Sequence, residues 1–114
     1  MYTNSAGSLE KLLERKLCEW VKSIKGRAVK GPAYTDKGIP DRIVILPHGG
    51  GTVWVEVKGG TYYQLTPMQV WWKELIMDSS PDRYFLIDTK DDLEAFKKAC
   101  YAFMSVDTEK DVVL

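Results

Sequence analysis

The fold is decided between residues 38 and 58, which read GIPDRIVILPHGGGTVWVEVK. A glycine-rich turn, His48-Gly49-Gly50-Gly51, separates two runs in which apolar residues recur at every second position. This pattern predicts an antiparallel β-hairpin, because alternate side chains of a strand point to opposite faces of a sheet. If Pro47 faces Thr52, the pairing places Arg42 opposite Val57.

The predicted hairpin brings two carboxylates and one lysine to the same end. Asp41 falls beside the end of the second strand, where Glu56 and Lys58 share a face. Mg²⁺ takes oxygen ligands and keeps several waters, so two carboxylates and the phosphate oxygens of a substrate suffice to hold it. The hairpin end therefore suits a divalent metal and a phosphate, with Lys58 beside the phosphate or an attacking water. An exposed ion pair, which contributes only about 0–1 kcal/mol, is the alternative explanation.

The order of these residues resembles the PD-(D/E)XK nuclease superfamily. Pro40-Asp41 followed by Glu56-x-Lys58 carries the general motif. The longer series, residues 38–42 (GIPDR), then 55–58 (VEVK), then Gln69, is similar to one branch, the VRR-NUC domain. The similarity extends from about residue 14 to residue 72. It implies an α/β fold with a restriction-endonuclease-like core, in which helices flank a small mixed sheet.

The same resemblance implies a function and its site. It assigns catalysis to Glu14, Asp41, Glu56, Lys58 and Gln69, and metal binding to Asp41, Glu56 and the backbone carbonyl of Val57. Mg²⁺ is the implied cofactor, with Mn²⁺ as a substitute, and the implied reaction is endonucleolytic hydrolysis of DNA phosphodiesters. Stand-alone VRR-NUC proteins, typical of phages and bacteria, resemble Holliday-junction resolvases, so a homodimer acting on branched DNA is expected.

The two helices of this site each leave an alternative open. The first is predicted over residues 8–25, with Ser8 as N-cap and Gly26 as the stop. Its apolar stripe has Glu14 at the edge, where it can face the hairpin, although Glu10 is a geometric rival. In the second helix, Thr66-Pro67-Met68-Gln69 forms a capping box, so Gln69 has a structural role open to it as well as a catalytic one.

Further along the chain, Trp71 and Trp72 are adjacent and cannot share a helix face. We expect one to lie in the core and the other to pack on a neighbouring element or a partner. Around these segments, short strands are predicted at residues 27–29 and 83–88. A last helix follows the capping box of Thr89 and Asp92, and it buries Cys100. The predicted order is helix, strand, strand, strand, helix, strand, helix.

Composition limits the other functional classes. A chain of 114 residues predicts a single domain, spanning residues 1–114. Two cysteines and one histidine are too few for a disulfide framework, a Cys-based zinc site or most His-rich metal sites. No apolar run approaches the roughly 20 residues of a membrane span, and residues 1–7 lack the features of a secretion signal. We expect a cytoplasmic protein of a bacterial or phage-infected cell, with no membrane association and no small-molecule cofactor.

The net charge is zero, but its distribution favours a nucleic-acid partner. Residues 11–42 contain nine Lys/Arg and four Asp/Glu, and such a basic excess provides sequence-independent affinity for DNA. The candidate DNA contacts are Lys25, Arg27, Lys30, Lys37, Arg42, Tyr62 and Tyr63, although each also fits a solvated face or a packing role. Two other functions stay open. They are a restriction-type or nicking enzyme acting on linear duplex or flap DNA, and a non-catalytic DNA-binding domain.

Overall fold

The computed structural model describes residues 6–60 and 64–106, which form three helices and a four-stranded sheet. The elements are α1 (Ala6–Ser23), β1 (Arg27–Lys30), β2 (Arg42–Leu46), β3 (Gly51–Val57), α2 (Pro67–Ser79), β4 (Tyr84–Ile87) and α3 (Lys90–Phe103). This is the predicted order. Within the two ranges, no helix is long and apolar enough to cross a membrane.

The sheet is mixed, as predicted. Its spatial order is β1-β2-β3-β4, with the first three strands antiparallel and β4 parallel to β3. A parallel pair needs a crossover between its strands, and here α2 provides that crossover. The site end of β3 is therefore held between β2 on one side and β4 on the other.

The hairpin register differs from the prediction by two residues. Arg42 pairs with Val55, not with Val57, and Leu46 pairs with Gly51. The reason is the turn: the N–H of Gly50 donates to the carbonyl of Pro47 at 3.0 Å, and residues 48 and 49 both have positive φ. This primed turn uses residues 47–50, one position earlier than expected. Because the change is even, every side chain stays on its predicted face.

One face of the sheet carries the hydrophobic core. Val53, Val55 and Val57 are fully buried there, beneath α1 and α3. The remaining core members are Leu13, Leu17, Trp20, Val21, Ile24, Val44, Leu46, Ile87, Leu93, Phe96, Cys100 and Met104. The opposite face carries α2, which buries Ile76 and meets the ring of Trp54 across a small apolar cleft. The two faces of the sheet thus carry different helices, with α1 and α3 on one face and α2 on the other.

Helix ends depart from the sequence prediction mainly in α1. The helix begins and ends two residues earlier than the predicted range 8–25, so Ser8 lies in the first turn and is not the N-cap. At its end, Lys25 adopts a left-handed conformation with φ 67°, and the N–H of Gly26 donates to the carbonyl of Val21 at 2.9 Å. This is a Schellman ending in which Lys25 takes the position usually occupied by glycine. The capping boxes predicted for α2 and α3 are both present.

The expectation that one of the two adjacent tryptophans lies in the core is wrong. Trp71 is 52% exposed, and Trp72 is half-buried with its indole N–H donating to the carbonyl of Lys37 at 3.1 Å. The buried residue of α2 is Ile76, further along the helix, whereas its first two turns pack on the loop before Asp41 and contact the sheet through the polar side chain of Gln69. That loop leads directly to Asp41.

Gly38 is the point at which this loop packs most closely on α2. Its φ is +84°, and a Cβ placed there would lie 2.6 Å from the Cβ of Met68 in the first turn of the helix. Only glycine satisfies both the left-handed backbone and the close approach. The spacing between the Asp41 loop and the N-terminus of α2 therefore depends on this residue.

We expect Gly38→Ala to destabilise the fold more than Gly49→Ala does. Gly49 has φ +71° and nothing within 4 Å of a built Cβ, so alanine there adds only the left-handed strain of about 1–2 kcal/mol. At Gly38 the overlap with Met68 should add about 1–3 kcal/mol more, as overpacking does. Urea denaturation of the two variants measures the difference. Equal losses of stability in the two variants would mean that α2 moves away from residue 38 without a measurable loss of free energy.

Candidate active site

Asp41 and Glu56 face each other where the hairpin ends. Continuing the β2–β3 register by one residue places Asp41 opposite Glu56. One carboxylate oxygen of Asp41 accepts a hydrogen bond from the N–H of Val57 at 2.7 Å, and the carboxyl group of Glu56 lies within interaction distance of it. Glu56 is only 3% exposed. The hairpin thus brings a buried and a half-buried carboxyl group together.

Burial shifts both carboxyl groups towards their neutral forms, and the charge of Asp41 adds to the effect on Glu56. Desolvation first, and then the charge of Asp41, raises the pKa of Glu56 from 4.5 to about 8, against the opposing effect of Lys58. Desolvation also raises the pKa of Asp41, although the Val57 N–H opposes it. Two close carboxylates cannot both ionise freely unless a cation joins them. The pair is therefore matched to a bound positive charge.

Gln69 connects this pair to the N-terminus of α2. Its side-chain N–H donates to Oε2 of Glu56 at 3.1 Å, while its Oε1 accepts from Nζ of Lys58 at 3.3 Å. The same Oε1 accepts from the N–H of Thr66 at 2.8 Å, which closes the capping box. The two alternatives for Gln69 are therefore not exclusive, because one amide caps the helix and contacts both site residues.

The backbone of Lys58 is fixed by β4. Its N–H donates to the carbonyl of Ile87 at 2.8 Å, and its ammonium lies 3.5 Å from Oε2 of Glu56. Two residues later, the N–H of Gly60 donates to the buried carboxylate of Asp88 at 2.8 Å. Sequence reasoning did not single out Asp88. Its position directly after an apolar strand was the available signal, because the ends of parallel strands meet at one edge of a sheet.

The helix acid predicted for the site, Glu14, is engaged elsewhere. Its Oε2 accepts from Nε of Arg42 at 2.7 Å, and a second guanidinium nitrogen of Arg42 donates to the carbonyl of Ala28 at 3.2 Å. Both side chains are three-quarters or more buried. Arg42, predicted from the sequence as a DNA contact, thus joins α1, β1 and β2 from the inside.

The oxygen donors that remain suit a hard divalent cation. In the part of the chain that the structure describes, no three His, Cys, Asp or Glu side chains form a metal cluster. The donors are the carboxylates of Asp41 and Glu56, together with the Val57 carbonyl. That carbonyl lies on the Asp41 side of β3, because the N–H and C=O of one residue in a strand point the same way. Two carboxylates and a carbonyl fit Mg²⁺ or Mn²⁺ better than softer ions.

The predicted DNA contacts lie around the α1–β1 junction and the loop that follows. Lys25, Arg27, Lys30 and Lys37 are exposed. Arg27 and Arg42 line a cleft of about 460 Å³, to which α1 adds Lys22 and Cys18. Tyr62 and Tyr63 lie outside the described residues. The cleft is therefore basic on one wall and adjoins the Glu14–Arg42 pair.

Comparison with solved structures identifies the architecture. A structure described as a VRR_NUC domain matches this chain with a TM-score of 0.68 at 23% sequence identity, over 76% of this chain and 91% of that one. This chain has the VRR_NUC fold. Scans against protein-family models and against curated proteins find no match, so the likeness lies in the fold and not in overall sequence.

Within the VRR_NUC fold, four of the five predicted site residues come together. Asp41, Glu56, Lys58 and Gln69 form one connected set of hydrogen bonds and short contacts. The fifth, Glu14, hydrogen-bonds to Arg42, the neighbour of Asp41 in the chain, and its charge raises the pKa of Asp41. The motif order therefore predicted the hairpin and α2 contributions, whereas the contribution of α1 depends on how that helix docks.

The raised pKa of Glu56 makes metal-free stability depend on pH. The unfolded chain loses this proton near pH 4.5 and the folded chain near pH 8, so in that window the folded state binds more protons and stability falls as pH rises. Glu56→Gln removes this pH-dependent contribution to the free energy of unfolding. In EDTA, we expect the stability of the variant relative to the wild type to increase between pH 5 and pH 8 in urea denaturation. Parallel pH curves would contradict a buried Glu56 carboxyl, and Glu74→Gln, on the exposed side of α2, is the control.

Proposed function

We propose that this chain is a metal-dependent nuclease that hydrolyses phosphodiesters of DNA. The observation that carries the proposal is the buried Asp41–Glu56 pair, joined to Lys58 through Gln69 at the open end of the sheet. Burying neighbouring acids lowers the stability of the fold. Carboxyl groups with raised pKa values of this kind are concentrated at enzyme active sites. The VRR_NUC fold and the motif order support the same reaction class.

Asp41 and Glu56 would hold the cation, with the Val57 carbonyl as a further oxygen donor. When bound, Mg²⁺ or Mn²⁺ supplies Lewis-acid polarisation of a phosphoryl oxygen and lowers the pKa of water. The protein itself holds the two carboxylates close together and partly shields them from water. The Val57 N–H orients Asp41, and the Gln69 amide orients Glu56.

Lys58 is the cationic group of the proposed reaction. Its ammonium is held 3.3 Å from Gln69 Oε1 and 3.5 Å from Glu56 Oε2, which leaves a third N–H for a phosphate oxygen or an incoming water. An ammonium held in place before the reaction stabilises the charge that develops on the phosphorus oxygens. Gln69 thus positions Lys58, and the capping box fixes Gln69.

DNA binding is proposed for the basic wall formed by the α1–β1 junction and β1, which reaches the Asp41 end of the sheet at Lys30, the partner of Arg42. Its exposed cations, including Lys25, Arg27 and Lys30, suit contacts to phosphates and not to base edges. Arg42 is excluded from that list, because its guanidinium is already paired with Glu14 and with the Ala28 carbonyl. The proposed recognition is therefore of DNA shape and charge.

The direct test is cleavage of a panel of linear duplex, flap and four-way DNA with Mg²⁺, Mn²⁺, Ca²⁺ or EDTA. We expect cutting with Mg²⁺ or Mn²⁺ only, and loss of at least about 100-fold in Asp41→Asn, because one of two metal-holding carboxylates is gone. Differential scanning fluorimetry is the matched readout: Mn²⁺ should raise the Tm of the wild type and not that of Asp41→Asn.

Asp36→Asn, a change at an exposed loop position, is the control. Full activity in EDTA or in Asp41→Asn would overturn the metal assignment. DNA binding without cleavage under every condition would support the non-catalytic alternative. Preference for linear duplex or flap DNA would support a restriction-type or nicking enzyme.

We further propose that the active form is a homodimer that resolves four-way junctions. A four-way junction has twofold symmetry, and a C2 dimer presents two identical sites to it. On this chain, α2 starts at the site and carries exposed apolar side chains, among them Met68, Trp71 and Leu75. An isologous contact through this helix would cover them and set two sites at a fixed separation.

The dimer has a separate test. We expect a dimeric mass in sedimentation at micromolar concentration, and linear product directly from a cruciform plasmid, because two coupled sites cut both strands in one encounter. Sequential nicking by a monomer would relax the plasmid and remove the cruciform before the second cut. Trp71→Glu should then shift both readouts towards the monomer. A monomeric wild type with mostly nicked circle would overturn the resolvase proposal and leave the nuclease proposal standing.

A further inference from the structure

Helix α1 carries two carboxylates one turn apart, Glu10 and Glu14, and the structure separates their surroundings. Glu14 is held by Arg42 on the core face of the sheet. Across residues 6–60 and 64–106, the Glu10 carboxylate has no ion-pair partner. Residues four apart share one side of a helix, so both acids can face the sheet, at different positions along it.

The direction of α1 decides which acid reaches the site. Just after the helix ends, a Cβ on Gly26 would lie 2.7 Å from the carbonyl of Ile45, so the C-terminus of α1 lies near that end of β2. Glu14 meets Arg42 at the other end of the same strand. Four residues further towards the helix N-terminus is a rise of about 6 Å. Glu10 is thereby carried past Arg42, towards the end of the sheet where Asp41 lies.

The charges of both acids reach the site, since that of Glu14 raises the pKa of Asp41, but it is the pKa of Glu10 that also responds to Lys58. Desolvation raises the pKa of Glu10, and the next causes are the charge of Asp41, which raises it, and that of Lys58, which lowers it. Asp41 and Lys58 are both members of the proposed site. Among the described residues, Glu10 does not form a three-acid metal cluster with Asp41 and Glu56.

We propose that Glu10 is the α1 carboxylate that serves this site, and that Glu14 is a positioning residue whose ion pair with Arg42 holds the start of β2. Glu10 adds negative charge near the bound cation and accepts hydrogen bonds from water between α1, Asp41 and Lys58. Glu14 and Arg42 fix the strand that carries Asp41. This inference rests on the proposed function and reverses the order in which the sequence ranked the two acids.

The test compares Glu10→Gln and Glu14→Gln with Glu19→Gln, an exposed acid on the same helix, as the charge control. Calorimetric titration with Mn²⁺ alone, without DNA, gives affinity independently of activity. We expect Glu10→Gln to weaken Mn²⁺ binding about three- to tenfold, as loss of one charge near a divalent ion does. It should also lower kcat on the best DNA of the panel, with KM unchanged. Glu14→Gln leaves the cation of Arg42 unpaired beside Asp41, so the charge-balanced double variant Glu14→Gln/Arg42→Gln is the comparison, and it should bind Mn²⁺ within about twofold of the wild type.

Glu14 has its own readout, in EDTA and without substrate. We expect Glu14→Gln and Arg42→Gln each to lower Tm by roughly 4 °C or more, and the double variant to lose no more than either single one, because the two act as one pair. Additive losses would overturn the positioning role. Loss of Mn²⁺ affinity in Glu14→Gln/Arg42→Gln with wild-type affinity in Glu10→Gln would overturn the assignment of Glu10, as would an equal loss in Glu19→Gln.

Failure of the underlying function gives a different result. If the wild type neither binds Mn²⁺ nor cleaves any DNA of the panel, the nuclease proposal fails, and with it the role of Glu10. The cycle between Glu14 and Arg42 is measured without metal or DNA, so it still decides the structural half of the inference.

Discussion

The burial of Glu56 beside Asp41 is the constraint on which the rest of the structure depends. Two carboxyl groups with raised pKa values are held together at the open end of a hairpin, and each is satisfied by a contact from a different element. The Val57 N–H holds Asp41, and the Gln69 amide holds Glu56. These two contacts fix the positions of the two carboxyl groups relative to each other.

The hydrophobic core offsets the free energy that is lost by burying the carboxyl group of Glu56. Val53, Val55 and Val57 anchor β3 against α1 and α3, so the strand that presents Glu56 on its other face cannot move away. Burying three valine side chains contributes on the order of 5–9 kcal/mol, although that gain also has to offset the entropy of ordering the chain. The alternation of one strand thus places stabilising valines on one face and Glu56, a proposed metal-binding residue, on the other.

The second helix has two functions at once. Its capping box starts the helix, and the same Gln69 that closes the box contacts Glu56 and Lys58. Gly38 and the Lys37 carbonyl pack on its first two turns, so the loop before Asp41 is tied to the helix that follows Lys58. The loop before Asp41 and the start of α2, which are far apart in sequence, are therefore held in fixed positions relative to each other.

The sequence by itself determined the hairpin, both capping boxes, the order of the elements and the convergence of Asp41 with Glu56 and Lys58. All of these follow from local rules: two-residue alternation, turn-forming glycines, and side chains that bond to backbone a few positions away. The register was missed by two residues, because the turn at residues 47–50 depends on backbone angles that the letters PHGGG leave open. Tertiary structure alone decided that Arg42 turns inward to Glu14 and that Trp71 stays exposed. These depend on how α1 and α2 dock on the sheet, a choice made by packing between segments and not encoded in any one of them.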